Sequence, residues 1–198
     1  STLTDMHLFA RMKDGTVIKG ESSITKQGGE IDSLLIDPEN PEAYPNAVKA
    51  ISEADIVVIG PGSLYTSIMP NLLVPGISEA IKNAGALKIY ICNVATQVGE
   101  TDGFTVVGHV DVLQRNTFPG IIDVVLANSS PPAGLGPQFL GKPVIHDGRP
   151  IQNARLVLKD LTNREHLVRH ESTKLADAIL CVYHGRQRTV RPPNRITW

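Results

Sequence analysis

Two polar loops hold the side chains of this chain best suited to chemistry. The first is Gly60-Pro61-Gly62-Ser63, placed directly after the apolar run Ile56–Ile59 and before a helix-like segment. Glycine lets backbone amides come close to a ligand. A helix N-terminus beyond it offers unpaired N–H groups and the positive end of a dipole. Ser63, Tyr65 and Thr66 add hydroxyls, and the amides of Gly62, Ser63 and Leu64 would aim at one point. That set suits phosphate or another anion, approached across Gly60 and Gly62. The same tetrapeptide also reads as a tight strand-to-helix turn with Ser63 as its cap. It is neither a P-loop, which needs Gly-Lys-Ser/Thr, nor a GxGxxG fingerprint.

The second loop runs from Asn93 to Gly103, directly after the apolar run Ile89–Cys92. Asn93, Thr96 and Gln97 could bond a phosphate or a sugar. Glu100 and Asp102 could hold a metal through water, or position a hydroxyl. Its other reading is an Asx-type loop in which Thr101 or Asp102 caps the next helix. The six histidines show no metal spacing such as HxxxH on a helix. His166 and His170 are four apart, and Leu167-Val168 between them reads as strand, which would put both on one face. Surface or structural roles suit them better, and no catalytic residue is assigned. Order alone cannot establish a Ser–His–Asp triad.

Elements of alternating type must position these loops. Met6–Met12 and Thr16–Lys19 flank the turn signal Lys13-Asp14-Gly15 and predict a β-hairpin at a sheet edge. Glu21–Glu30 is polar and reads as a loop. Leu34–Ile36 predicts a short strand, and Pro45–Glu53 a helix with proline early. Strand Ile56–Ile59 follows, then a short helix Leu64–Met69 ended by Pro70, then a helix over Pro75–Asn83. Strand Lys88–Asn93, helix Thr105–Gln114, strand Ile121–Leu126, late strand Arg155–Leu158 and helix Ser172–Tyr183 complete the pattern. Strand–loop–helix repeated in this way predicts an α/β, Rossmann-like three-layer fold with a mostly parallel sheet. Its ligands should bind at the carboxyl ends of the strands, where both loops lie. Residues 128–150 hold five prolines and four glycines and read as a long irregular loop. Residues 186–198 carry four arginines and no acid, a basic tail.

The 198 residues suit a single domain, residues 1–198, with a proper core. Hydrophobic residues make up 41%, and the formal net charge of −1 gives no field favouring nucleic acid or membrane. Cys92 and Cys181 fall on apolar predicted elements and read as buried thiols, in keeping with a reducing cytoplasm. No run is long enough to span a bilayer, and no signal peptide is evident.

Across GPGSLYTSIMPNLLVPGI and CNVATQVGETDGF the sequence resembles the bacterial gluconeogenesis factor family, a branch related to the 2-phospho-L-lactate transferases. LTDMHLFARMKDGTVIKGESSIT is similar to that family's central hairpin. GHVDVLQRN and RHESTKLADAIL are similar to its later helical segments. Members open with a Rossmann-type strand and a glycine-rich turn that this chain lacks. It therefore looks like roughly the C-terminal three-fifths of a member, with the N-terminal part of the fold missing. The resemblance implies a cytoplasmic protein, homo-oligomeric, that binds a nucleotide sugar of the UDP-N-acetylglucosamine kind and acts in cell shape and in carbon or cell-wall metabolism. No firm catalytic activity comes with that branch. The transferase relatives move a phospholactyl group with magnesium, and their first loop is GPSNP-like. Here it is GPGSLYTS, without that Asn-Pro. Transferase activity remains the alternative, and a self-associating fragment without a ligand is the third reading.

Overall fold

The computed structural model describes residues 1–131 and 139–190. Strands β1 (His7–Met12) and β2 (Val17–Lys19) form the expected hairpin. Helix α1 (Glu21–Gln27) and strand β3 (Ile31–Asp37) follow. The hairpin belongs to a separate antiparallel sheet ordered β2-β1-β3, in which β2 is the edge strand and β1 the middle one. The polar stretch read as a loop contains α1, because one residue anchors it: Ile24 is fully buried while its neighbours face water. Gly28 and Gly29, both at positive φ, stop the helix.

Helix α2 (Pro45–Ser52) leads into β4 (Ile56–Ile59). A single π-helical turn (Leu64–Ile68) then runs into α3 (Met69–Leu72) and α4 (Pro75–Asn83). Pro70 does not end a helix as expected. It stands in the first turn of α3, where no N–H is required of it. β5 (Leu87–Ile91), α5 (Val106–Asn116), β6 (Val124–Asn128), β7 (Arg155–Lys159) and α6 (Ser172–Val190) complete the chain's elements.

The four later strands make a parallel sheet ordered β4-β5-β6-β7, with Val58 beside Ile89, Ile89 beside Val124 and Leu126 beside Val157. Alternation along β5 shows why its run is almost wholly apolar. Tyr90 and Cys92 enter the core shared with β1, β3, α3 and α4, whereas Ile89 and Ile91 enter a second core under α6. Helical layers therefore cover both faces.

β6 starts later than expected. Ile121 and Ile122 are fully buried but precede the strand. Asp123 ends that approach by accepting the Lys88 N–H at 2.8 Å. Leu167-Val168 is a turn, not a strand; only the single bridge Thr162–His170 pairs there. Cys92 is buried as expected, and Cys181 is exposed, because it borders an open groove between α6 and the sheet. Of the long loop, residues 132–138 lie outside the described residues, as do 191–198 of the basic tail.

Candidate functional site

β4 and β5 are parallel neighbours, so the loops leaving their carboxyl ends emerge side by side. Between them lies a cleft of about 870 Å³, within the range of small-molecule sites. Gly62 and Ser63 of the first loop line it, with Asn93, Thr96 and Gln97 of the second. The structure adds groups from distant parts of the chain: Thr25 of α1, Phe139 to Gly141, Arg169, His170, and Ser172 and Leu175 of α6. None of these had a local signal. Thr25 sat in a segment read as loop, and Arg169 and His170 reach the cleft through the turn before α6.

The remaining candidates stand behind the cleft wall. Leu64 is fully buried, and Tyr65 packs edge-on against Phe104 with ring centroids 6.3 Å apart. Burial pushes the Tyr65 phenol up to about 12. Gly60 has positive φ and lies against Ile68 and the Ile91 carbonyl. Thr101 is fully buried, and its Oγ1 accepts the Gln97 N–H at 2.9 Å. Asp102 accepts the Gly99 N–H at 2.6 Å. Neither caps the next helix; Thr105 does, accepting the Gly108 N–H at 3.3 Å. Ser63 makes no capping bond either, because its hydroxyl is used elsewhere.

That use is Glu100. Its carboxylate is 4% exposed and accepts three hydroxyls from three elements. Thr25 donates at 2.8 Å, Ser63 at 3.1 and 3.2 Å to its two oxygens, and Thr66 at 3.1 Å. Thr66 also donates to Ser63 Oγ at 2.8 Å, its shorter contact. Among the described residues no cation pairs with Glu100. Gly99 makes the approach possible: a Cβ there would lie 2.4 Å from the Thr25 carbonyl oxygen. Gly141 closes the loop from another side, where a Cβ would lie 2.4 Å from the Thr96 carbonyl oxygen.

Charge in the cleft is of the other sign. Arg169 is exposed and has no carboxylate partner among the described residues. His170 donates through Nε2 to the Cys92 carbonyl at 3.2 Å, and burial lowers its pKa against the opposing pull of that bond. Asn93 Nδ2 donates to Gln97 at 3.3 Å, while its Oδ1 is shut from solvent without a partner. Further back, burial holds the fully enclosed His109 down at about 4, and raises the Cys92 thiol to about 12. Among the described residues no group of three or more His, Cys, Asp or Glu converges. Glu100 receives hydroxyls on both oxygens, and Asp102 receives the Gly99 amide on one.

An α/β protein with a strand-end cleft, hydroxyl-lined and carrying one free cation among its described residues, is the class these features define. The model of the family described as 2-phospho-L-lactate transferase CofD matches residues 1–161, and the chain belongs to that family. A gluconeogenesis factor of Halalkalibacterium halodurans is 40% identical over 189 residues, 92% of this chain and 58% of its own. The gluconeogenesis factor of Bacillus subtilis is 40% identical over 180 residues, 87% of this chain and 57% of its own. A crystal structure of a UPF0052-family protein from Bacillus halodurans superposes with a TM-score of 0.81 at 37% identity, covering 90% of this chain and 59% of that one. The chain thus spans little more than half the length of these relatives. Among its described residues no helix is long and apolar enough to cross a membrane.

Proposed function

We propose that this protein binds a nucleotide sugar of the UDP-N-acetylglucosamine kind and acts in the cytoplasm as a regulatory protein of gluconeogenic growth, cell shape and cell-wall precursor supply. The observation that carries the proposal is the cleft itself. Two strand-end loops and Arg169, which has no carboxylate partner among the described residues, meet around one volume of about 870 Å³. Arg169 suits a diphosphate, since a guanidinium makes charge-assisted, two-pronged bonds to phosphate oxygens. Phe139, Leu140 and Leu175 offer apolar surface for a base or sugar face. The names of the similar gluconeogenesis factors support the regulatory side.

The family's description favours a second reading, phospholactyl or phosphoryl transfer. Turnover separates the two, because a binder saturates without product. Calorimetric titration with a panel of nucleotide sugars, followed by a search for product, tests both. Saturable binding without product is the outcome expected of the regulatory reading, and absence of saturable binding would end the proposal.

A further inference from the structure

We infer that the part of the cleft around Ser63 is a subsite for a hydroxyl donor of the ligand, with Ser63 Oγ as acceptor and Glu100 as the residue that positions it. The inference rests on the nucleotide-sugar reading and says which part of such a ligand meets which residues. A hydroxyl has one proton to give, and a carboxylate only accepts. Thr25, Ser63 and Thr66 all lie within hydrogen-bond distance of the Glu100 oxygens, at 2.8 to 3.2 Å. With no cation paired to Glu100 among the described residues, these hydroxyls are what compensates its burial. The Thr25 and Ser63 protons therefore run toward the carboxylate, while Thr66, nearer to Ser63 Oγ at 2.8 Å than to Glu100 at 3.1 Å, donates to Ser63 and leaves it one lone pair for the cleft.

Ser63 and Thr25 also line the cleft. What they turn toward it is oxygen lone pairs. This part of the wall asks for a donor.

An anion is the wrong occupant here. To bond a phosphate oxygen, Ser63 would have to withdraw its proton from Glu100, losing a charge-assisted bond. It would also bring a second negative charge toward a poorly solvated first one. The glycine loop that suggested a phosphate cradle therefore has a buried carboxylate behind it that works against one. Phosphate belongs with Arg169, and a sugar hydroxyl with Ser63.

NMR titrations of the 198-residue protein to millimolar concentrations, with UDP, UDP-N-acetylglucosamine and Mg²⁺ alone as probes, test the assignment. Ser63→Ala removes the acceptor. Glu100→Gln puts an amide donor behind Ser63 and turns its proton toward the cleft. Each should weaken UDP-N-acetylglucosamine about five- to tenfold and leave UDP within about twofold. Ser63→Thr, which keeps the oxygen, should restore sugar-nucleotide affinity. Should Glu100→Gln fail to fold by circular dichroism, the Ser63→Ala and Ser63→Thr pair decides alone. Equal weakening of UDP and UDP-N-acetylglucosamine would make Ser63 a phosphate contact and overturn the assignment. So would unchanged affinities, or shifts at Ser63 and Thr25 with Mg²⁺ alone. Binding of neither nucleotide by the unsubstituted protein would remove the nucleotide-sugar reading as well.

Discussion

The two cleft loops look alike in the sequence and behave differently in the structure. The first is short, and its cleft-facing part is compact: Pro61, Gly62 and Ser63 line the wall while Leu64 to Thr66 dive into the core. The second is long and divides in two. Asn93 to Val98 line the cleft, and Gly99 to Thr101 turn inward to fasten the loop, with the exposed Asp102 accepting the Gly99 amide. Glu100 joins the loops by taking the Ser63 hydroxyl. A polar loop is therefore not uniformly a binding surface. A long loop must satisfy its own backbone and hold its shape, and half of its polar side chains are used for that.

The strongest way to break this division is at Gly99. It has φ of 84°, and a Cβ would press on the Thr25 carbonyl oxygen at 2.4 Å and Gly28 Cα at 3.3 Å. Gly99→Val should cost about 4 kcal/mol or more in urea unfolding, because strained φ and a backbone clash add. A cost below about 1 kcal/mol would mean that the inward half does not fasten the loop. Glu100→Ala comes next. It strands three hydroxyls beside a cavity, and about 3 kcal/mol should be lost. Asp102→Asn, which keeps one acceptor for the Gly99 amide, should cost about 1 kcal/mol on the same scale and serves as the control.

Acidification probes the layer behind the second loop. His109 is enclosed, stacks edge-on with Phe104 at 5.5 Å, and donates through Nδ1 to the Thr105 carbonyl. Burial lowers its folded pKa from 6.5 to about 4. The unfolded chain therefore binds this proton more readily than the folded one. The stability it contributes is whole above pH 6.5 and declines as pH falls toward 4. Between pH 7 and 5 the loss should be about 2 kcal/mol in urea unfolding, and smaller in His109→Gln. Identical pH dependence in both proteins would show that His109 is not the source.

The smallest effect sharpens the cleft side. Gly62→Val adds a side chain where the nearest atom, Ser67 Cβ, is 3.2 Å from the new Cβ. Ligand affinity should fall about tenfold while the midpoint of unfolding moves little, since Gly62 does not need positive φ. A collapse of stability instead would place Gly62 with the fastening residues.

Near-continuous apolar runs at Ile56–Ile59 and Ile89–Cys92 marked the parallel strands; the second is buried on both faces, whereas the first is the sheet's edge strand and leaves Val58 exposed. Proline at the start of α2 and α4, and glycines after β4, marked where helices and turns fall. The positions of both loops at the strand ends followed from that pattern. Tertiary structure alone decided the rest. A helix at Glu21–Gln27 rests on the burial of one isoleucine, a contact that local pattern does not encode. The partners of Glu100 come from positions 75, 37 and 34 residues away. Arg169 and His170 reach the cleft only because α6 packs on the far face of the sheet. A side chain's type says which bonds it is able to make. Whether it faces a ligand or a neighbour depends on which groups folding brings within three ångströms of it.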